Sequence, residues 1–204
     1  MASQRTLQRL LDRRNEHPEE LAHIDAQIRD QFAATRAIFV LDMCGFSRLT
    51  MKHGIIHYLA LIRRMQRVVL PCLEAQGGSV LKTEADNVFG IFTDVPPALR
   101  AAQAIVAELA LQNRGLPQDW DVHVGIGIGY GPLLMVGEHD AFGHEMNLAS
   151  KLGEDLAEAG DVFLTEAAYQ RAGRRKAALQ KRSARVSGLK LVYYSARKRE
   201  PSKR

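Results

Sequence analysis

The stretch FVLDMCGFSRLT, residues 39–50, decides the fold. It belongs to a continuous apolar run, AIFVLDMC at 37–44, that reads as a buried strand. The run ends on an acid, Asp42, followed by a glycine-aromatic turn at Gly45-Phe46. A carboxylate in that place is costly to desolvate unless it is paired, hydrogen-bonded or bound to a metal. Asp42 therefore needs a partner elsewhere in the chain.

Outward from this strand, the pattern alternates. Residues 6–15 and 18–34 have helical spacing, the second segment carrying Leu21, Ile24, Ile28 and Phe32. IIHYLALIRRMQRVVLPCLEAQ, 55–76, is helical until Gly77-Gly78 stops it. SVLKTE and NVFGIF flank a short turn at Ala85-Asp86, which predicts a hairpin with Asp86 at its tip. A helix opening on Pro96-Pro97 follows, then the long glycine-punctuated strand DVHVGIGIGYGPLLMVG. MNLASKLGEDLAEAG predicts another helix, and DVFLT and LKLVYYSA predict strands. Alternating strands and helices with one inserted hairpin predict an α+β fold, a ferredoxin-like sandwich with an N-terminal helical extension. The expected division is a helical extension over 1–35, one domain over 36–197 and a basic tail over 198–204.

Composition sets bounds on partners. At 204 residues and 46% hydrophobic side chains, the chain can bury one substantial core. It opens without the apolar segment of a signal peptide and has no run of about 18 apolar residues, so a cytoplasmic protein without a membrane span is expected. Two cysteines without a CxxC pair, Cys44 and Cys72, indicate neither a disulfide framework nor a zinc site and read as reduced core thiols. The net charge of +5 is uneven: residues 171–204 hold 13 Lys/Arg against Glu200 alone, a net +12, so residues 1–170 carry −7. Such a basic run is most often solvated surface, and nucleic-acid binding is disfavoured.

Two acids stand out. If the first strand and the hairpin are neighbours, Asp42 and Asp86 converge on one edge, where paired carboxylates recruit Mg²⁺ or Mn²⁺ together with a nucleotide phosphate. Taken singly, Asp42 could cap the following helix and Asp86 could simply make the turn. Their surroundings favour the first reading. LDMCGFS, GGSVLKTEADNVFGIF and DAFGHEMNLASK occur in an order and spacing that resemble the class III adenylyl and guanylyl cyclases, over about residues 37–196.

The resemblance implies a nucleotide cyclase that makes cyclic AMP from ATP, a homodimer with sites shared between two copies. Asp42, Asp86 and the Met43 carbonyl would hold two Mg²⁺ or Mn²⁺ ions per active site. Lys82 and Asp140 would read the adenine, Asn147 would orient the ribose and Lys151 would meet the phosphate. Gly45, Phe46, Ser47 and Lys190 would complete the substrate-binding set. GTP or a pyrimidine triphosphate is the alternative substrate, and a non-catalytic dimerising or nucleotide-sensing module is the alternative role.

Three departures accompany the match. Ala85 replaces a glycine before Asp86, which is tolerable only if the turn keeps φ negative. Lys151 replaces an arginine and lacks its planar bidentate fork. Ser187 replaces a phosphate-binding lysine, leaving Lys190 as the substitute. GIGIGYG, 125–131, lacks the spacing of a dinucleotide loop and reads as a thin strand allowing close packing. His53 and His57, four apart, lack the glutamate of a zinc motif, which disfavours a zinc site, and the single Trp120 reads as a packing residue.

Overall fold

The computed structural model describes residues 3–186 and 188–196, with the side chains of residues 46–48 and 196 not described. The chain opens with two helices, α1 (Gln4–Glu16) and α2 (Leu21–Phe32), and passes into β1 (Ala33–Met43). Ser3 caps α1 by accepting from the Thr6 amide, and Pro18 opens the single turn before α2. Leu7, Ile24, Ile28 and Phe32 bury one face of this helix pair against Leu134 and Val136. β1 begins four residues before the apolar run, so its start overlaps the expected helical extension: the first residues, Ala33–Arg36, alternate exposed and half-buried and carry no apolar signal.

The core of the fold is β1, α3 (Phe46–Ala75), β2 (Ser79–Glu84), β3 (Asn87–Phe92), α4 (Val95–Asn113) and β4 (Val124–Val136). These strands lie in the order β2-β3-β1-β4, all antiparallel, which is the ferredoxin-like split βαβ arrangement. After β4 come β5 (Asp140–Phe142), which pairs with the end of β4, and α5 (His144–Ser150), which runs into a π-helical turn at Lys151–Leu156. β6 (Val162–Thr165) adds to β4 in parallel, and beyond it lie α6 (Glu166–Arg171), β7 (Leu179–Val186) and β8 (Leu189–Ala196).

β1 is apolar without interruption because both of its faces are covered. Ala37, Phe39 and Leu41 point into the larger core under α3 and α4, while Ile38 and Val40 pack with Met146 and Ala149 of α5. The glycines of β4 make the second covering possible. A Cβ on Gly127 would stand 2.0 Å from the Ala149 carbonyl oxygen, and one on Gly125 would stand 2.7 Å from the Ala157 Cβ. The expected thin strand is thus a seat for α5 and the π turn.

Four local expectations are corrected. α3 starts nine residues earlier than its periodicity suggests and is broken at Gly54, where φ is 79° and ψ 170°. The helix expected over 146–160 ends at Leu156, with Ala157 already extended. β7, LQKRSARV, reads as solvated surface but forms the edge of the sheet, its Lys and Arg side chains exposed in the way basic residues protect unpaired edges. Cys44 and Cys72 are free, but half-buried rather than in the core.

Candidate active site

β1 and the β2–β3 hairpin bring the two acids together. Leu41 pairs with Val88, which leaves Asp42 level with the turn that carries Asp86. Both carboxylates are half-buried and hydrogen-bond to each other. Burial above all, then the negative charges of Asp86 and Glu154, push the Asp42 carboxyl up to about 7. Near neutral pH the Asp42 carboxyl is therefore partly protonated in the metal-free protein. Tyr58 of α3, 1% exposed, donates its hydroxyl to Asp86 Oδ2 at 2.5 Å.

The turn itself is strained. Glu84 pairs with Asn87, so Ala85 and Asp86 form a two-residue loop, and Ala85 has φ of 50°. Such loops need positive φ to match the twist of their strands, which costs a residue with a Cβ about 1–2 kcal/mol. The expectation of negative φ at Ala85 is overturned: the hairpin keeps its geometry and the alanine takes the strain.

The donor set at this edge is all oxygen: two carboxylates in contact and the backbone carbonyl of Met43 at the end of β1. Hard divalent cations such as Mg²⁺ and Mn²⁺ take such a set. Cys44 follows directly, but burial first and then the charge of Asp42 push its thiol up to about 11, so it is not a ready thiolate ligand.

Lys82 lies on β2, and its ammonium stands 3.3 Å from Asp140 Oδ1 at the start of β5 and 2.9 Å from Glu84 Oε1. The hydrogen bond to Glu84, ahead of that to Asp140, raises the Lys82 pKa. Asn147 is exposed on α5, and Lys151 opens the π turn half-buried, 3.6 Å from Asp155. Gly153 in that turn lies flat on β1, where a Cβ would be 2.8 Å from the Val40 carbonyl oxygen. Gly45 precedes α3 with φ of 94°. The side chains of Phe46 and Ser47, and all of Ser187, lie outside the described residues, while Lys190 is exposed on β8.

Sequence reading missed Tyr58, Glu84 and Glu154. Tyr58 sits at helical spacing among apolar residues and reads as core, which its ring also is. Glu84 carried a usable signal: two residues beyond Lys82 on a strand, it shares the same face.

The overall fold has counterparts among solved structures. The adenylate/guanylate cyclase/hydrolase from Silicibacter pomeroyi superposes with a TM-score of 0.70 at 24% identity, covering 80% of this chain and 96% of that one. The adenylyl cyclase CyaB from P. aeruginosa does so with a TM-score of 0.66 at 18% identity, covering 82% and 97%. In sequence, "Putative adenylate cyclase 3" of Rhizobium meliloti (strain 1021) is 30% identical over 134 residues, 66% of this chain.

The chain has the catalytic-domain fold of the class III nucleotidyl cyclases.

No family model matches the chain. The chain spans 22% of the length of the curated relative it matches. Among its described residues, no helix is long and apolar enough to cross a membrane.

Proposed function

We propose that this cyclase domain converts ATP to 3′,5′-cyclic AMP and pyrophosphate, working as a homodimer whose two sites are each built from both copies. The observations that support this reading are the contact of Asp42 with Asp86, between the end of β1 and the β2–β3 turn, and the ion pair of Lys82 with Asp140.

Asp42, Asp86 and the Met43 carbonyl would hold two Mg²⁺ or Mn²⁺ ions, which when bound neutralise triphosphate charge and acidify the ribose 3′-hydroxyl. In the reaction the 3′-hydroxyl gives up its proton to solvent, its oxygen forms a bond to the α-phosphorus, the bond from the α-phosphorus to the bridging oxygen breaks, and pyrophosphate leaves with the electron pair. Lys82 donates to a ring nitrogen of adenine and Asp140 accepts from its exocyclic amine. Guanine presents an acceptor, O6, where adenine presents the amine, and a carboxylate repels it. Asn147 orients the ribose, and Lys151 faces the charge that develops on the α-phosphate.

A second reading is favoured by the same pair. Cytosine also presents an amine beside a ring acceptor, so CTP satisfies Lys82 and Asp140 in the same sense. Purified protein supplied with Mn²⁺ and ATP is expected to release cyclic AMP and pyrophosphate, identified by mass. Larger yields of cyclic CMP from CTP support the second reading, and no cyclic nucleotide from any triphosphate contradicts both.

A further inference from the structure

We infer that Tyr58 is a positioning residue for the metal-binding carboxylates: its hydroxyl holds Asp86 in place against Asp42. The inference rests on the proposed metal role of those two acids. Its geometry stands apart from that role. Tyr58 is 1% exposed, with its ring fixed in the main core among residues such as Leu61, Met65 and Phe92. From there its hydroxyl reaches the hairpin turn and donates to Asp86 Oδ2.

Three features of the turn explain what such a bond does. Asp86 sits on a two-residue loop whose other member, Ala85, is held at φ of 50°. It lies against Asp42 at the end of β1. α3, which carries Tyr58, is broken at Gly54 and continues from there to Ala75. A hydrogen bond from a buried, rigid phenol fixes one oxygen of Asp86 and leaves the other lone pairs for a cation. Partners of this kind orient metal ligands, and removing one typically costs about 10–100-fold in metal affinity. Phenylalanine at this position keeps the ring and removes the hydroxyl that donates to Asp86.

The test is Mn²⁺ binding in the absence of nucleotide, read by electron paramagnetic resonance of the free ion, for the wild type and for Tyr58→Phe, Asp86→Ala and the double variant. The expected result is a dissociation constant about tenfold higher for Tyr58→Phe, and no further loss when Tyr58→Phe is added to Asp86→Ala. Wild-type affinity in a folded Tyr58→Phe protein overturns the inference, as does an additive loss in the double variant, which marks a purely structural role. A wild type whose Mn²⁺ binding is absent, or insensitive to Asp86→Ala, overturns the metal site itself and the inference with it. A second measurement needs no variant. The chain has 5 tyrosines, and in 3-fluorotyrosine-labelled wild type, substoichiometric Mn²⁺ should broaden one fluorine resonance before the others. Uniform broadening contradicts the placement of Tyr58 beside the metal.

Discussion

Lys82 Nζ and Asp140 Oδ1 stand 3.3 Å apart, joining the edge strand β2 to the short β5 that folds back on the end of β4. A donor and an acceptor side by side make a complementary edge for a base that offers an amine next to a bare ring nitrogen. Glu84, 2.9 Å from the same ammonium, holds it in register.

This pairing makes base choice testable. Exchanging both Lys82 and Asp140 for alanine should lower the ratio of kcat/KM for ATP over GTP by about 10–100-fold, with a smaller change in affinity for the triphosphate. Steady-state kinetics on the four nucleotides measures it. An unchanged ratio would place the base elsewhere.

The acid pair gives a pH dependence with a definite sign. The Asp42 pKa lies above its unfolded value, at about 7, so the folded metal-free protein binds this proton more tightly than the unfolded chain. Its stabilising contribution is complete below the ordinary aspartate range and is lost as pH rises through about 7. Melting temperature in the presence of chelator should therefore fall between pH 5 and 8, and Asp42→Asn should flatten that fall. Mn²⁺ competes with this proton, so its affinity should rise over the same interval.

In the proposed role of meeting the α-phosphate, Lys151 offers a flexible point charge without the planar fork of an arginine. Lys151→Ala is expected to reduce kcat by about 10²-fold with little change in KM, and Lys151→Arg to retain or exceed wild-type turnover. Equal kcat for wild type and Lys151→Ala would remove this residue from the site.

Packing beneath the site is equally specific. Gly127→Ala would drive a methyl into the Ala149 carbonyl, 2.0 Å away, and so lift α5 and the π turn that carry Asn147 and Lys151. A loss of about 1–3 kcal/mol in urea unfolding is expected, with a drop in turnover that exceeds any change in metal affinity.

Much of this was legible in the sequence, for physical reasons. The run at 37–43 announced a strand because both its faces are buried, and the hairpin announced itself by two short β-rich runs around a two-residue turn. Asp42 and Asp86 stood out because such acids need partners. β7 was hidden because an edge strand is stabilised by backbone pairing to β8 and carries the basic side chains that solvent also favours. The Gly54 break and the π turn leave helical periodicity almost intact on either side. The Tyr58 hydroxyl had no signature, because the ring that carries it packs like any core residue.

In the proposed dimer one site takes its metal acids, Asp42 and Asp86, from one copy and its Lys82, Asp140, Asn147 and Lys151 from the other. Mixing an Asp42→Ala chain with an Asn147→Ala chain, each inactive alone, tests it most directly through cyclic AMP production after subunit exchange. In a mixed dimer one site collects both defects and the other is intact, so with random exchange about a quarter of wild-type activity should return. No recovery in dimers shown to have exchanged would mean that each site is built within a single chain.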